Sequence, residues 1–146
     1  MAITRFPPNT IWLGGEIVQV NDVAGSEPIV PGMLVEKFVN AGKPAYKKHA
    51  TAGASCVPAI ALDQHMLNKG VDDPYPTGDL LEVGIFSPGA TAWALIASGQ
   101  NIAAGTKLES AGNGTLRAGS GAALFAAVNT TDNTNGGSPR IVVEAL

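Results

Sequence analysis

Nucleophilic catalysis at neutral pH needs an activated hydroxyl or thiol, and this chain sets two such groups side by side, Ser55 and Cys56. A nucleophile elbow requires Gly-x-Ser-x-Gly, whose last glycine permits the sharp turn. The stretch Gly53-Ala54-Ser55-Cys56-Val57 lacks it, so Ser55 reads as a loop residue. Cys56 would need a basic or helix-N-terminal environment to become a thiolate, and none is predicted around it. A buried structural cysteine is the simpler reading. His49, Cys56, Asp63 and His65 are of metal-ligating type, but spacings of seven, seven and two match no common zinc framework.

Other chemistries fail on single positions. Gly112-Asn113-Gly114-Thr115-Leu116-Arg117 has arginine where a dinucleotide loop needs its third glycine, and no Walker-type Lys-Ser/Thr ending occurs. Asp132 to Gly137 resembles the start of a calcium loop, yet its twelfth position falls on Val143 instead of a glutamate. Asp72 and Asp73, followed by Asp79 and Glu82, form the one carboxylate concentration, with no histidine or aromatic platform beside it to make acid–base work. Asn113 and Asn129 are formal glycosylation acceptors that mean little without a secretory signal. Trp12 and Trp93 read first as core, with a partner-facing role for Trp12 as the alternative. The expectation is therefore a protein that is not an enzyme and carries no cofactor.

The elements that would have to position any site follow from composition. With 146 residues, 18 Gly and 10 Pro, 14% charged and 45% hydrophobic, the chain has room for one domain and a real core. Disorder is disfavoured, and 9 Lys/Arg against 12 Asp/Glu give no basic field for nucleic acid. One cysteine allows no internal disulfide, no apolar run approaches the roughly 20 residues of a membrane span, and the first residues do not read as a signal peptide. Cytosolic synthesis without membrane association is the reading.

Glycine and proline recur too often for helices of ordinary length, whereas strands of five or six residues fit between them. The class is mainly β. Strands are predicted at 16–20, 33–39, 46–49, 57–62, 80–86, 90–96, 106–110, 124–128 and 141–146, a helical turn at 64–69, and a hairpin about Asn113-Gly114. Pro31 to Glu36 and Ala104 to Glu109 share a glycine turn, an alternating strand and a glutamate, with Ile29 and Ile102 at the same offset; duplication and chance both explain this.

Residues 1–9 read as an extended arm before a domain spanning 10–146, because Pro7-Pro8 excludes helix and central strand. Its candidate contact residues are Ile3, Arg5, Phe6, Pro7 and Pro8, with Trp12 just behind. The arm either frays or orders on a partner. Charge is segregated: Lys43, Lys47 and Lys48 belong to a basic stretch, and Asp72, Asp73 and Asp79 to an acidic one. Such patches either guide identical copies together or are simply solvated. From Val83 to Thr131 only Lys107, Glu109 and Arg117 are charged, which predicts a small-residue core or a covered surface.

The order of these features resembles the cement, or head decoration, proteins of tailed bacteriophages. The resemblance rests on Val30 to Val35, on Tyr75 to Val83 with Pro76-Thr77-Gly78-Asp79 introducing Leu80-Leu81-Glu82-Val83, on Ala94 to Ser110, on Gly112 to Leu116 and on Arg140 to Glu144. It covers roughly Ile29 to Leu146. It implies a structural virion protein on the outer capsid surface, made in the bacterial cytoplasm and binding the major capsid protein where subunits meet. It also implies a homo-oligomer, most often a trimer, and an arm that engages the shell. The Ile102-x-x-Gly105-x-x-Leu108 unit resembles the strand-turn element of β-clip and β-tulip folds, so a compact β-barrel or β-tulip is expected; a helix from Ala122 would speak against it. A phage adhesion or carbohydrate-binding β module is the alternative.

Overall fold

The computed structural model describes residues 10–24, 28–64, 68–119, 121–132 and 139–146. Among them the backbone forms thirteen strands and no helix. The candidate arm residues Ile3, Arg5, Phe6, Pro7 and Pro8 lie outside the described residues, as do residues 65–67 of the predicted helical turn, His65 among them, and most of the stretch likened to a calcium loop.

The main sheet has six strands. Strands β1 (Trp12–Gly14), β7 (Thr91–Leu95), β13 (Arg140–Ala145), β11 (Phe125–Ala127), β9 (Lys107–Ser110) and β10 (Leu116–Ala118) follow one another across it. All pairings are antiparallel. Central β13 shows the period of two expected of a half-buried strand: Ile141, Val143 and Ala145 are buried while Val142 and Glu144 turn outward. A three-stranded sheet joins β2 (Ile17–Val23), β6 (Leu80–Phe86) and β5 (Ala59–Ala61). The hairpin β3 (Val35–Asn40) and β4 (Lys43–Lys48) makes a two-stranded sheet, and β8 (Asn101–Ile102) pairs with β12 (Thr131–Asp132).

Two cores result. Ala92, Ala94, Ile96, Leu108, Phe125 and Ile141 belong to the larger one, where Phe86 meets Phe125 edge-on with centroids 6.4 Å apart. The nearly uncharged stretch 83–131 supplies much of this core, while other residues of it remain exposed. The smaller core gathers Val35, Tyr46, Ala59, Leu81 and Val83 between the hairpin and the three-stranded sheet.

The expectation of a mainly β fold holds, but a closed barrel does not form. The sheets are open: β10 meets the continuation of β7 only through an isolated bridge, Ile96 to Leu116, instead of a ladder. Among the described residues β10 pairs in a ladder with β9 alone, and its other edge carries just that one bridge. Ala122 precedes β11 without forming a helix.

Local differences have physical causes. β4 begins at Lys43, three residues earlier than predicted, because Pro44 sits in a two-stranded hairpin where one missing N–H is tolerated. The tight hairpin turn is Ala41-Gly42, with φ of 51° and 79°, the signature of a two-residue turn. The hairpin predicted about Asn113-Gly114 does form, between antiparallel β9 and β10, but through a wider loop in which Asn113 Oδ1 accepts hydrogen bonds from the Thr115 backbone and hydroxyl. The two similar units do share a turn: Met33 N donates to Val30 O, and Thr106 N to Ala103 O, both at 3.1 Å. The same bond pattern recurs at Pro76–Asp79 and Ser87–Ala90. A common turn type thus accounts for the likeness.

Small residues let the layers approach. A methyl at Gly15, which has φ +83°, would stand 2.5 Å from the Ala90 Cα; one at Gly42, φ +79°, would meet open space. Gly42→Ala should therefore cost about 1–2 kcal/mol from the left-handed backbone alone, and Gly15→Ala about 1–3 kcal/mol more through overpacking. Urea unfolding of the two variants checks this; equal losses would contradict it.

Candidate functional site

The described residues do assemble a Ser/His/Glu constellation that the sequence does not advertise. The base of the hairpin brings Glu36 Oε2 to 3.4 Å from His49 Nε2, while His49 Nδ1 lies 2.6 Å from Ser110 Oγ on β9. Gly112 N donates to that same Oγ at 3.1 Å. With its proton on Nε2, His49 accepts from the Ser110 hydroxyl and donates toward Glu36, so each donor meets an acceptor. The order resembles a hydrolytic triad, but Ser110 is 0% and His49 2% exposed. An acyl group has no access to that oxygen. The network instead fastens the hairpin to the main sheet, helped by Gly114 N donating to His49 O and Leu34 N to Gly114 O. Residues 36, 49 and 110 are far apart in sequence, so only the topology reveals them.

Cys56 stands apart from His49's ring bonds, on a groove of about 350 Å³ between the hairpin and the three-stranded sheet. Val35, Tyr46, Ala59 and Ile85 line it, with Glu36, Lys37 and Val57. Burial, and then the Glu36 carboxylate, push the thiol up to about 11. Burial followed by Asp22 likewise raises Tyr46. This is the opposite of an activated nucleophile. Ser55 is an exposed loop residue, as expected. Among the described residues, which leave out His65, no three metal-ligating side chains cluster. Asp63 has a different task, accepting from Ile11 N at 2.9 Å and Thr10 Oγ1 at 3.2 Å. It thereby pins the segment on which residues 1–9 are rooted.

The basic residues do share one element. Lys43, Lys47 and Lys48 lie on β4, where Lys47 Nζ reaches Glu36 Oε1 at 3.4 Å and stands 5.4 Å from the Phe38 ring centroid. Lys37, from β3, stands 5.8 Å from the Tyr46 centroid. The acidic residues are less uniform. Asp72 pairs with Arg140 at 2.9 Å, and Asp73 accepts from Gly70 N at 2.7 Å, whereas exposed Asp79 precedes β6. Arg140 also donates to Pro31 O and lies 5.4 Å from the Trp93 centroid, tying two loops to β13. Trp12 is 45% exposed, its indole donating to Gly15 O at 3.2 Å, which leaves a face available to a partner. Trp93, by contrast, packs on the main core as expected.

No family model matches the chain, and no curated protein matches it. Among solved structures it is similar to the N base of the head fiber gp8.5 of bacteriophage phi29, with a TM-score of 0.57 and 16% sequence identity, over 90% of this chain and 98% of that one. The likeness establishes a shared fold along nearly the whole of both chains.

The raised thiol pKa sets a pH dependence. A shift from 9.0 to about 11 leaves about a hundredfold less thiolate near neutrality than an ordinary cysteine has, increasing as pH approaches 11. Cys56 should therefore react with an aromatic disulfide reagent about a hundredfold more slowly than a free cysteine at pH 7.5, and accelerate through pH 10. Reaction at the free-cysteine rate would contradict this.

Proposed function

We propose that the chain is a structural component of a tailed-phage particle that binds the outside of the head and joins neighbouring major capsid subunits, acting as a self-associated unit, most simply a trimer. The observation that carries this reading is the fold shared, over 90% of its length, with the base of a phage head fiber. The inaccessibility of the Glu36–His49–Ser110 network and the unactivated Cys56 support a role without catalysis. Binding by shape suits the molecule. Several weak contacts on one lattice become strong because later ones are effectively intramolecular.

In this reading Ile3, Arg5, Phe6, Pro7 and Pro8 meet the shell, with Trp12 at the root of the arm. Thr10 and Ile11, held by Asp63, give that arm a fixed origin. Nucleic acid, membrane and cofactors have no part in the proposed role. A second reading, a fiber-base module serving adhesion, draws on the neighbour's being the base of a fiber and on the exposed ring of Trp12. Glycan binding abolished by Trp12→Ala would favour it.

Deleting residues 1–8 should leave a folded protein, with an unchanged unfolding transition, that no longer co-sediments with undecorated phage heads. Full occupancy by the shortened chain would reject the arm's role, and failure of the intact chain to bind any heads would reject the reading itself. Lys47→Glu combined with Lys48→Glu should make binding or self-association weaker and less salt-dependent; unchanged assembly would show these charges to be merely solvated.

A further inference from the structure

The groove beside Cys56 and an exposed leucine on the far side of the same sheet are complementary. Strand β6 alternates its side chains, so Ile85, which lines the groove, and Leu80 point to opposite faces. Leu80 is 56% exposed, with exposed Asp79 before it and half-buried Glu82 two residues along on its own face. It is an apolar knob in an acidic setting. The groove has the opposite character. Its walls are Val35, Tyr46, Ala59 and Ile85, Val57 is 56% exposed beside them, and exposed Lys37 provides the charge. Its one carboxylate, Glu36, is already engaged by Lys47 and His49. Lys43, Lys47 and Lys48 on the adjacent strand add to the positive field.

We propose that the Leu80 knob of one copy seats in the Val57–Ile85 groove of a second copy, with Asp79 and Glu82 meeting Lys37. The proposal rests on the self-association read above and supplies its contact. Knob and groove lie on opposite faces of one sheet, so a molecule cannot satisfy itself and the contact is heterologous, repeating from copy to copy until a ring closes. Charge fixes the partner and the orientation, while the buried leucine supplies the anchor. This contact differs from a simple meeting of the lysine and aspartate stretches, since Asp72 and Asp73 already have partners within the chain.

The test is sedimentation analysis of the full chain with Leu80→Lys, Val57→Glu, Lys37→Glu, Asp79→Lys and the double variant Lys37→Glu/Asp79→Lys, all at exposed positions and all checked for folding by circular dichroism. Leu80→Lys and Val57→Glu should each weaken self-association by about tenfold or more. Each single charge reversal should weaken it as well, and the double reversal should restore it. An oligomer indifferent to Leu80→Lys and Val57→Glu would overturn this contact while leaving self-association standing. A wild-type chain that stays monomeric at every concentration would overturn self-association and the contact together, with head binding still measured separately.

Discussion

Close approach of small side chains is the constraint on which the molecule depends. Only 5% of the residues are aromatic, so bulk cannot fill the interior. Instead Ala92, Ala94, Ala127 and Ala145 let strands pack around Phe125, and Gly15 lies against Ala90 where even a methyl would collide. Dense packing of this kind leaves little slack, because interiors pack like organic crystals. The strands after β6 supply most of the larger core. The lysine-bearing hairpin lies in the first half of the chain, and the groove and the Leu80 knob proposed as contact surfaces draw on β6 near its middle.

Polar groups inside the fold serve to hold its layers in register. Glu36, His49 and Ser110 join the hairpin to β9, Asp63 fixes the entry of the chain, and Arg140 gathers the loops at Pro31 and Asp72 against Trp93. Each buried donor or acceptor left unmatched would cost roughly 1–3 kcal/mol, which is ample reason for these residues to be so arranged without any reaction to perform. The resemblance of one network to a hydrolytic triad is a lesson in burial: reactive residue types in reactive order do nothing when substrate cannot reach them.

Much of this was legible in the sequence. Alternation in Arg140 to Leu146 and in Leu80 to Phe86 marks both strands, and glycine spacing excludes long helices. The neutral stretch from Val83 to Thr131 reads as small-residue core or covered surface, and the structure divides it among buried, half-buried and exposed residues. Sequence reasoning fails where pairing is nonlocal. The closure expected of a barrel depends on whether β10 pairs with the distant end of β7, which it does through one bridge, and the Glu36–His49–Ser110 network depends on a hairpin landing beside β9. The basic residues were found, but only the structure shows that Lys47 is occupied by Glu36 and Phe38 while Lys37 stands at the groove.

The central claim is that the chain acts by occupying a repeated place on a phage head. An electron cryomicroscopy reconstruction of heads incubated with saturating protein tests it most directly. The account predicts ordered density of this fold at symmetry-related positions on the outer shell, each touching more than one capsid subunit. Bare shells at saturation, or density lying wholly within a single capsid subunit's footprint, would contradict it.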